Sequence, residues 1–247
     1  MGVIQVPRVI LACGRGKAKK FDRGVVRRLP FGLPWHHNSH YVIFFFVSLH
    51  PGILRRAMKN DGWNVGHGVG KHNQHVYHGR VGIFDVDSFG HMNNAAFLSH
   101  AEYARWEMGG ESGMVRRMAT QNILFFVTGT FVRYRREVRP LFRSFRVETF
   151  VSAVDDRYLW FSHNFRYSAT DRLRAQLVVQ SVVLKKGKVL DPREFLIDEC
   201  GYDEKLIQSI TWPDGELVSH ADLLNSYRDL DESMRSVAAL DDEMHKQ

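Results

Sequence analysis

The sequence is poor in cysteine and lacks an apolar run as long as a membrane-spanning helix needs. Its two cysteines, Cys13 and Cys200, lie far apart, which excludes a disulfide framework and a C-x-x-C zinc site. Such a chain is typical of a reducing compartment or the mitochondrial matrix. The apolar run at 41–49 has nine residues, whereas a membrane helix needs about 20. We therefore predict no transmembrane span, and we interpret the run as a buried segment, a docking strand or a shallow membrane contact.

Charge is distributed unevenly along the 247 residues, of which 44% are hydrophobic and 25% are charged. This composition suits one folded core with extensions and argues against a disordered protein. The first 74 residues carry 12 lysines and arginines against 2 acids, whereas residues 191–247 carry 5 against 15. We therefore predict a core domain at 75–192, a basic extension at 1–74 and an acidic, partly helical extension at 193–247.

The basic extension is rich in arginine and poor in acids, as mitochondrial targeting segments are. It predicts a location in the mitochondrial matrix, with the cytoplasm as the alternative. If it is not cleaved, it is a docking arm for RNA or for a large complex. The acidic extension contains two predicted helices, at 221–230 and 232–244, which we interpret as an appendage docked on the domain or on a partner.

A segment rich in glycine, asparagine and histidine joins the basic extension to the core domain. Its histidines, together with one just beyond it, are His67, His72, His75 and His78, with spacings of 5, 3 and 3. This spacing matches no zinc pattern, and neither an acid nor a cysteine joins the histidines in the sequence. We therefore predict no metal ion here, and a solvated linker at 61–75.

Residues 122–184 alternate between apolar and polar side chains with a period of two, as half-buried strands do. Short polar turns separate the alternating runs, and Gly129 inside the first long strand indicates a bulge or a close approach by another backbone. Before these strands, an apolar helical face at 97–108 begins near Asn93 or Asn94 and is predicted to end at Gly109-Gly110. One strand, a helix and then four antiparallel strands predict an α+β fold, with an antiparallel sheet wrapped around one central helix.

The segment that enters this helix contains a dense motif. It reads D-V-D-S-F-G-H-M-N-N-A-A-F at 85–97, followed by E-Y-A-R at 102–105. It resembles the D-x-D-x-x-G-H-x-N-N-x-x-[YF] … E-x-A-R pattern of hotdog-fold thioesterases related to 4-hydroxybenzoyl-CoA thioesterase. The branch it is most similar to is that of the eukaryotic thioesterase superfamily members. The resemblance covers about 115 of the 247 residues, as expected for one domain.

The resemblance implies an acyl-CoA substrate, no cofactor and no metal. It assigns catalysis to Asp87, which would attack the thioester or activate water. Amides at the helix start would stabilise the oxyanion, and His91 and Asn94 would position water or the thioester. The implied substrate-binding residues are Asn93, Phe97, Arg133, Arg135 and Arg136, the arginines serving the CoA phosphates.

The same residues also have structural interpretations. Asp85 is predicted to satisfy loop amides, and Asp87 could likewise be a helix-start carboxylate. Glu102 and Arg105 are predicted to form a surface or dimer-interface pair, and the arginine run could contact RNA instead of CoA. The family implies a homodimer or a pair with another hotdog protein. The alternative function is a catalytically silent hotdog subunit of a large mitochondrial assembly, either the mitoribosome or a respiratory complex.

Overall fold

The computed structural model describes residues 64–139, 141–218 and 221–244. The predictions for the basic extension and for the run at 41–49 lie outside these residues. In the described part of the chain, no helix combines the length and the apolar character that crossing a membrane requires.

A single antiparallel sheet dominates the described residues. Its strands run in the order β1-β3-β4-β5-β2, with the short β6 paired to β5, so that β2 is an end strand. The six strands are β1 His75–Arg80, β2 Ile123–Tyr134, β3 Ser144–Val154, β4 Leu159–Tyr167, β5 Leu173–Lys185 and β6 Lys188–Leu190. The helices are α1 Asn94–Glu111, α2 Met114–Gln121, α3 Pro192–Glu194, α4 Glu204–Ser209 and α5 Ala221–Met244, with a 3-10 turn at Lys71–Asn73 and a π-helical turn at Phe195–Glu199.

Helix α1 packs against β1 and β3 with the face that the sequence predicts. Ala101 and Ala104 on this face are at most 2% exposed, and their small side chains let the sheet approach the helix closely. The helix continues through Gly109 to Glu111, with Ser112 as its C-cap. A Cβ at Gly109 would lie 3.1 Å from Cγ2 of Val115, so this glycine makes room for α2 and does not end α1. The predicted α+β sheet around one helix is confirmed.

Strands β3 and β4 are buried on both faces along most of their length. The prediction of one buried face per strand is therefore wrong for them. The cause is α5, which packs on the side of the sheet opposite α1 and contributes Leu224 to a second core. The other buried members of that core are Ala153, Tyr158, Trp160, Val178 and Val182.

Gly129 lies at a shift of register between β2 and β5, which confirms the predicted bulge. The element that approaches it is the side chain of Tyr227 on α5, and not another backbone.

The segment before β1 is packed on the domain. Residues 66 and 68–70 are buried, and Val69, which is 2% exposed, forms a parallel bridge with Val151 of β3. The predicted solvated linker is therefore wrong for these residues. Beyond residue 192, Phe195, Leu196 and Ile207 are also buried in the main core. The packed unit thus reaches past both ends of the predicted domain.

Candidate active site

The loop between β1 and α1 folds as a narrow hairpin whose second arm leads into the start of the helix. Val86 and Met92 form an antiparallel bridge, and the amide of Asp87 donates to the carbonyl of His91 at 2.8 Å. Gly90 has a φ of 74°, which places the turn in the left-handed region that glycine adopts freely. The amide of Met92 donates to the carbonyl of Val138 at 2.9 Å and so joins this hairpin to the loop after β2.

The Asp87 carboxylate lies at the exposed tip of the hairpin. Its Oδ1 accepts hydrogen bonds from the amides of Phe89 and His91, at 2.9 and 3.0 Å. The His91 amide, followed by that of Phe89, holds the pKa of Asp87 below its usual range. The side chain is therefore an anion at neutral pH, held in place through one oxygen. Such a group can act as a nucleophile, or as a base of lowered strength.

Asp85, two residues earlier, faces the interior of the loop. Its Oδ2 accepts from the Gly82 amide at 2.7 Å and lies 3.1 Å from Nε2 of His100. Nδ1 of His100 lies 3.3 Å from the hydroxyl of Tyr77 on β1. Burial, followed by the charges of Tyr103 and Asp85, raises the pKa of Tyr77 to about 12, so this hydroxyl stays protonated. Loop, helix and strand are thus joined by one chain of polar contacts, in agreement with a structural role for Asp85.

The side chain of His91 points to the neighbouring loop, where it pairs with Glu137. Its Nε2 lies 3.0 Å from Oε2 of Glu137, and its ring stacks on Phe89 with centroids 6.5 Å apart. Glu137 also pairs with Arg139. A charged partner on one side fixes the direction of the imidazole.

The start of α1 brings together three of the predicted residues in different roles. Asn93 caps the helix by accepting from the Ala96 amide at 2.7 Å. Asn94 has an exposed side chain, and its carbonyl accepts from the Tyr134 hydroxyl at 3.2 Å. Phe97 is 3% exposed and packs edge-on against Phe165 and Tyr134. The structure therefore places Phe97 in the core under the site, and not on a surface that a substrate touches.

The arginines lie at the end of β2, beside this helix start. Arg133, Arg135 and Arg136 are all exposed, and Arg135 donates to Oε1 of Gln176 at 3.3 Å. Tyr134, which bonds to Asn94, alternates along the strand with Arg133 and Arg135, so these two arginines project from the face of the sheet opposite α1.

The pair of Glu102 and Arg105 differs from its prediction. Arg105 is 7% exposed and points into the core, where its guanidinium pairs with Glu102 and lies 5.7 Å from the ring centroid of Phe161. Burial lowers the pKa of Arg105 to about 10. Nη1 lies 3.5 Å from Nε2 of the buried His163. The interpretation as an exposed pair is therefore wrong for the arginine.

Comparison with known proteins places this architecture in a family. The model of the thioesterase-like superfamily matches residues 81–214, more than half of the chain. The chain belongs to this superfamily. The match confirms the resemblance to hotdog-fold thioesterases.

Curated relatives match part of the chain. Protein THEM6 of Xenopus laevis is 30% identical over 111 residues, which are 45% of this chain and 53% of that protein. Protein THEM6 of Danio rerio is 28% identical over 123 residues, which are 50% of this chain and 60% of that protein. The chain thus spans about half to three fifths of the length of these two relatives.

Solved structures with a similar backbone have low sequence identity. YbaW, a probable thioesterase of Escherichia coli, has a TM-score of 0.48 and 21% identity, covering 53% of this chain and 98% of that chain. The hypothetical protein SAV2348 of Staphylococcus aureus, solved in complex with CoA, has a TM-score of 0.48 and 15% identity, covering 59% and 92%.

Two residues of the site region are missed by sequence reasoning. Glu137 is the one acid within the arginine-rich run at 133–143, and that isolation is a usable signal. His100 lies next to Ala101 on α1, at the border of the apolar helix face. The helical pattern therefore indicates only that it is partly buried, and not what it contacts. Only the fold shows that its partners are Tyr77 and Asp85.

Proposed function

We propose that the protein hydrolyses acyl-CoA thioesters and that the Asp87 carboxylate is its catalytic group. The observation that carries the proposal is the anchoring of Oδ1 by the amides of Phe89 and His91 immediately before α1. This arrangement keeps the carboxylate ionised and fixes it within the loop that leads into α1. The family membership of residues 81–214 supports a thioester as the substrate class.

The carboxylate can act by either of two routes, as a nucleophile or as a base. As a nucleophile it attacks the thioester carbonyl, the C–S bond breaks, CoA leaves as a thiolate, and water then hydrolyses the acyl anhydride to the acid. As a base it takes a proton from water, whose oxygen attacks the same carbonyl; the C–S bond then breaks, CoA leaves as a thiolate that takes up the proton, and the free acid remains. The lowered pKa of Asp87 weakens it both as a base and as a nucleophile, so the two routes have to be separated by experiment. The nucleophilic route would be identified by rapidly quenching the reaction and finding the added mass of the acyl group on Asp87.

The start of α1 supplies the groups that the developing oxyanion needs. The first amides of an α-helix have no intrahelical acceptor, and Asn93 satisfies that of Ala96. The amides of Asn94 and Ala95 are therefore the donors we assign to the oxyanion, with the helix dipole adding to their effect. His91, oriented by Glu137, and the exposed side chain of Asn94 would position water or the thioester.

The substrate's phosphates would bind the arginines at the end of β2. Both Arg133, the residue before Tyr134 on β2, and Arg136, which follows the strand, are exposed. Replacing both with glutamine should raise KM for acyl-CoA more than it lowers kcat. The difference in KM from the wild type should shrink as the salt concentration rises. Tight RNA binding that depends on the same two residues would instead favour the RNA interpretation of this run.

We further propose that two copies pair through β2. This end strand carries four exposed apolar side chains on its two faces, Phe126, Val127, Phe131 and Tyr134, which is unusual for an unpaired edge. Sedimentation equilibrium should give a dimer for the wild type and a monomer for Phe131→Glu. Val189→Glu, at an equally exposed apolar position on β6, should stay dimeric. A wild-type monomer would refute the pairing.

In the decisive experiment, the purified protein is incubated with a panel of acyl-CoAs and the release of free thiol is measured. Asp87→Asn is the informative variant, because its amide oxygen still accepts from Phe89 and His91 and so preserves the loop. We expect kcat to fall about 100-fold or more, while Asp156→Asn, on an exposed turn between β3 and β4, leaves it unchanged. Absence of turnover, or turnover that Asp87→Asn does not affect, would refute the proposal and favour the catalytically silent subunit.

A further inference from the structure

Three side chains with metal-binding atoms meet at the end of α1 opposite to the candidate active site. They come from three separate segments: His67 from the turn before β1, His75 from the first position of β1, and Glu111 from the last turn of α1. In the sequence no acid lies beside these histidines, but in the fold Glu111 joins two of them. The side chains of His67 and His75 are 17% and 4% exposed, and that of Glu111 is 39% exposed.

The distances between the three atoms fit a tetrahedral metal ion. Nε2 of His67 lies 3.1 Å from Nδ1 of His75. Oε2 of Glu111 lies 3.4 Å from the first of these nitrogens and 3.3 Å from the second. A zinc ion with ligands at about 2.0–2.1 Å in tetrahedral geometry separates them by about 3.3 Å. The three atoms thus form one face of a tetrahedron of the required size.

Hydrogen bonds alone cannot satisfy this triangle. Each of the two facing nitrogens carries either a proton or a lone pair, and the carboxylate oxygen carries only lone pairs. If one nitrogen donates to the other, the accepting nitrogen presents its lone pair to the lone pairs of Glu111. If both nitrogens carry protons, two N–H groups face each other at 3.1 Å. One edge is repulsive in every arrangement, whereas a cation among the three atoms makes all three contacts favourable.

The backbone fixes this arrangement by other means. The amide of Asn64 donates to the carbonyl of Glu111 at 3.3 Å, which ties the turn to the helix end. Nδ2 of Asn73 donates to the carbonyl of Gly66 at 2.7 Å, which closes the loop on itself. The two imidazole rings stand at 88° with centroids 5.3 Å apart, so each directs a nitrogen at the shared point without stacking. The ligand atoms are therefore preorganised.

We propose that His67, His75 and Glu111 bind one Zn²⁺ ion that fastens the segment before β1 to the end of α1. Two imidazoles and a carboxylate are a ligand set that zinc accepts, and water reaches the fourth position on the exposed side of Glu111. The 18 residues of α1 separate this site from the helix start by about 27 Å. The ion is consequently remote from Asp87 and stabilises the fold without taking part in hydrolysis.

The test titrates the metal-free full chain with Zn²⁺ against a chromophoric chelator. The sequence has 13 histidines, so binding by the wild type has to be compared with that of matched variants. His67→Gln and Glu111→Gln each remove one ligand, and His72→Gln removes an exposed histidine of the same loop. Loss of an outer-shell partner alone commonly weakens a metal site 10–100-fold, so we expect about 100-fold or greater weakening in the first two variants and none in the third.

Two further measurements make the outcome unambiguous. Co²⁺ in place of zinc should give the visible absorption of a four-coordinate site in the wild type and in His72→Gln, and not in His67→Gln. Zn²⁺ should raise the thermal unfolding midpoint of the same two proteins only. Equal zinc affinity in the wild type and in His67→Gln, or no zinc binding by the wild type, would overturn the proposal.

Discussion

Replacing Gly129 with alanine tests whether α5 is docked on the sheet as the structure places it. A Cβ built on Gly129 would lie 1.8 Å from the hydroxyl oxygen of Tyr227 and 2.9 Å from its Cζ. The Tyr227 ring packs edge-on against Trp160 with centroids 5.3 Å apart. The new methyl group therefore forces the tyrosine out of this contact or moves the helix that carries it.

Two opposing effects determine the size of the change. Alanine favours a strand over glycine by roughly 0.5–1 kcal/mol, because it restricts the unfolded chain. Overpacking a contact costs about 1–3 kcal/mol, and a separation of 1.8 Å lies well inside van der Waals contact. We expect Gly129→Ala to lower the free energy of unfolding by about 1–2 kcal/mol. With a urea dependence of about 2–3 kcal/mol/M, the unfolding midpoint falls by roughly 0.5 M.

Urea unfolding of a double-mutant cycle isolates the clash. Tyr227→Ala removes the side chain that Gly129→Ala would meet, so in this background the glycine substitution should be neutral or slightly stabilising. The coupling energy between the two positions should then equal the cost of the clash, about 1–3 kcal/mol. If Gly129→Ala costs the same in both backgrounds, Tyr227 does not lie over β2 and the placement of α5 is refuted.

Three further predictions concern buried polar groups. Burial, followed by the charge of Arg105, holds the pKa of His163 well below 6.5. Below pH 6.5 this histidine binds a proton in the unfolded chain but not in the folded chain, so the free energy of unfolding falls as the pH drops. His163→Gln should reduce this fall by up to about 1.4 kcal/mol per pH unit in urea unfolding between pH 7 and 5, and equal slopes would contradict it. Glu102→Gln should destabilise more than Arg105→Met in the same assay, because only the first leaves a buried guanidinium without its counter-charge; the reverse order would refute the pairing as described. His100→Phe should lower thioesterase kcat by roughly 10- to 100-fold, because Asp85 loses the contact that fixes the hairpin, and an unchanged kcat would show that the hairpin holds its shape without it.

Local patterns were sufficient to predict the central elements of the fold. The apolar face that contains Ala101 and Ala104 follows from the helical period, and the antiparallel strands follow from alternation and turns, because each signal lies within a few residues. The density of identical positions at 85–97 likewise led to the family. These features need no knowledge of what packs on them.

Features that depend on a distant segment could not be read from the same patterns. The outward side of β4 reads as polar or mixed at Trp160, Ser162 and Asn164, and only the docking of α5 more than 50 residues later covers part of it. In the same way, no spacing rule joins His67 and His75 to Glu111, which lies 36 residues after the second histidine. Such contacts arise when the sheet closes on α1, so they are a consequence of topology and not of sequence neighbourhood.

The position of β2 links the two parts of the proposed function. Its Tyr134 bonds to Asn94 at the helix start, and its exposed apolar side chains form the edge that we assign to a second copy. A partner strand at this edge would hold Tyr134, and through it the first turn of α1, in one position. The loop at 135–139 continues directly from the same strand and orients His91 through Glu137. Pairing of copies would thus rigidify the groups around Asp87 on two sides, so a dimer is expected to position the site as well as to cover an apolar edge.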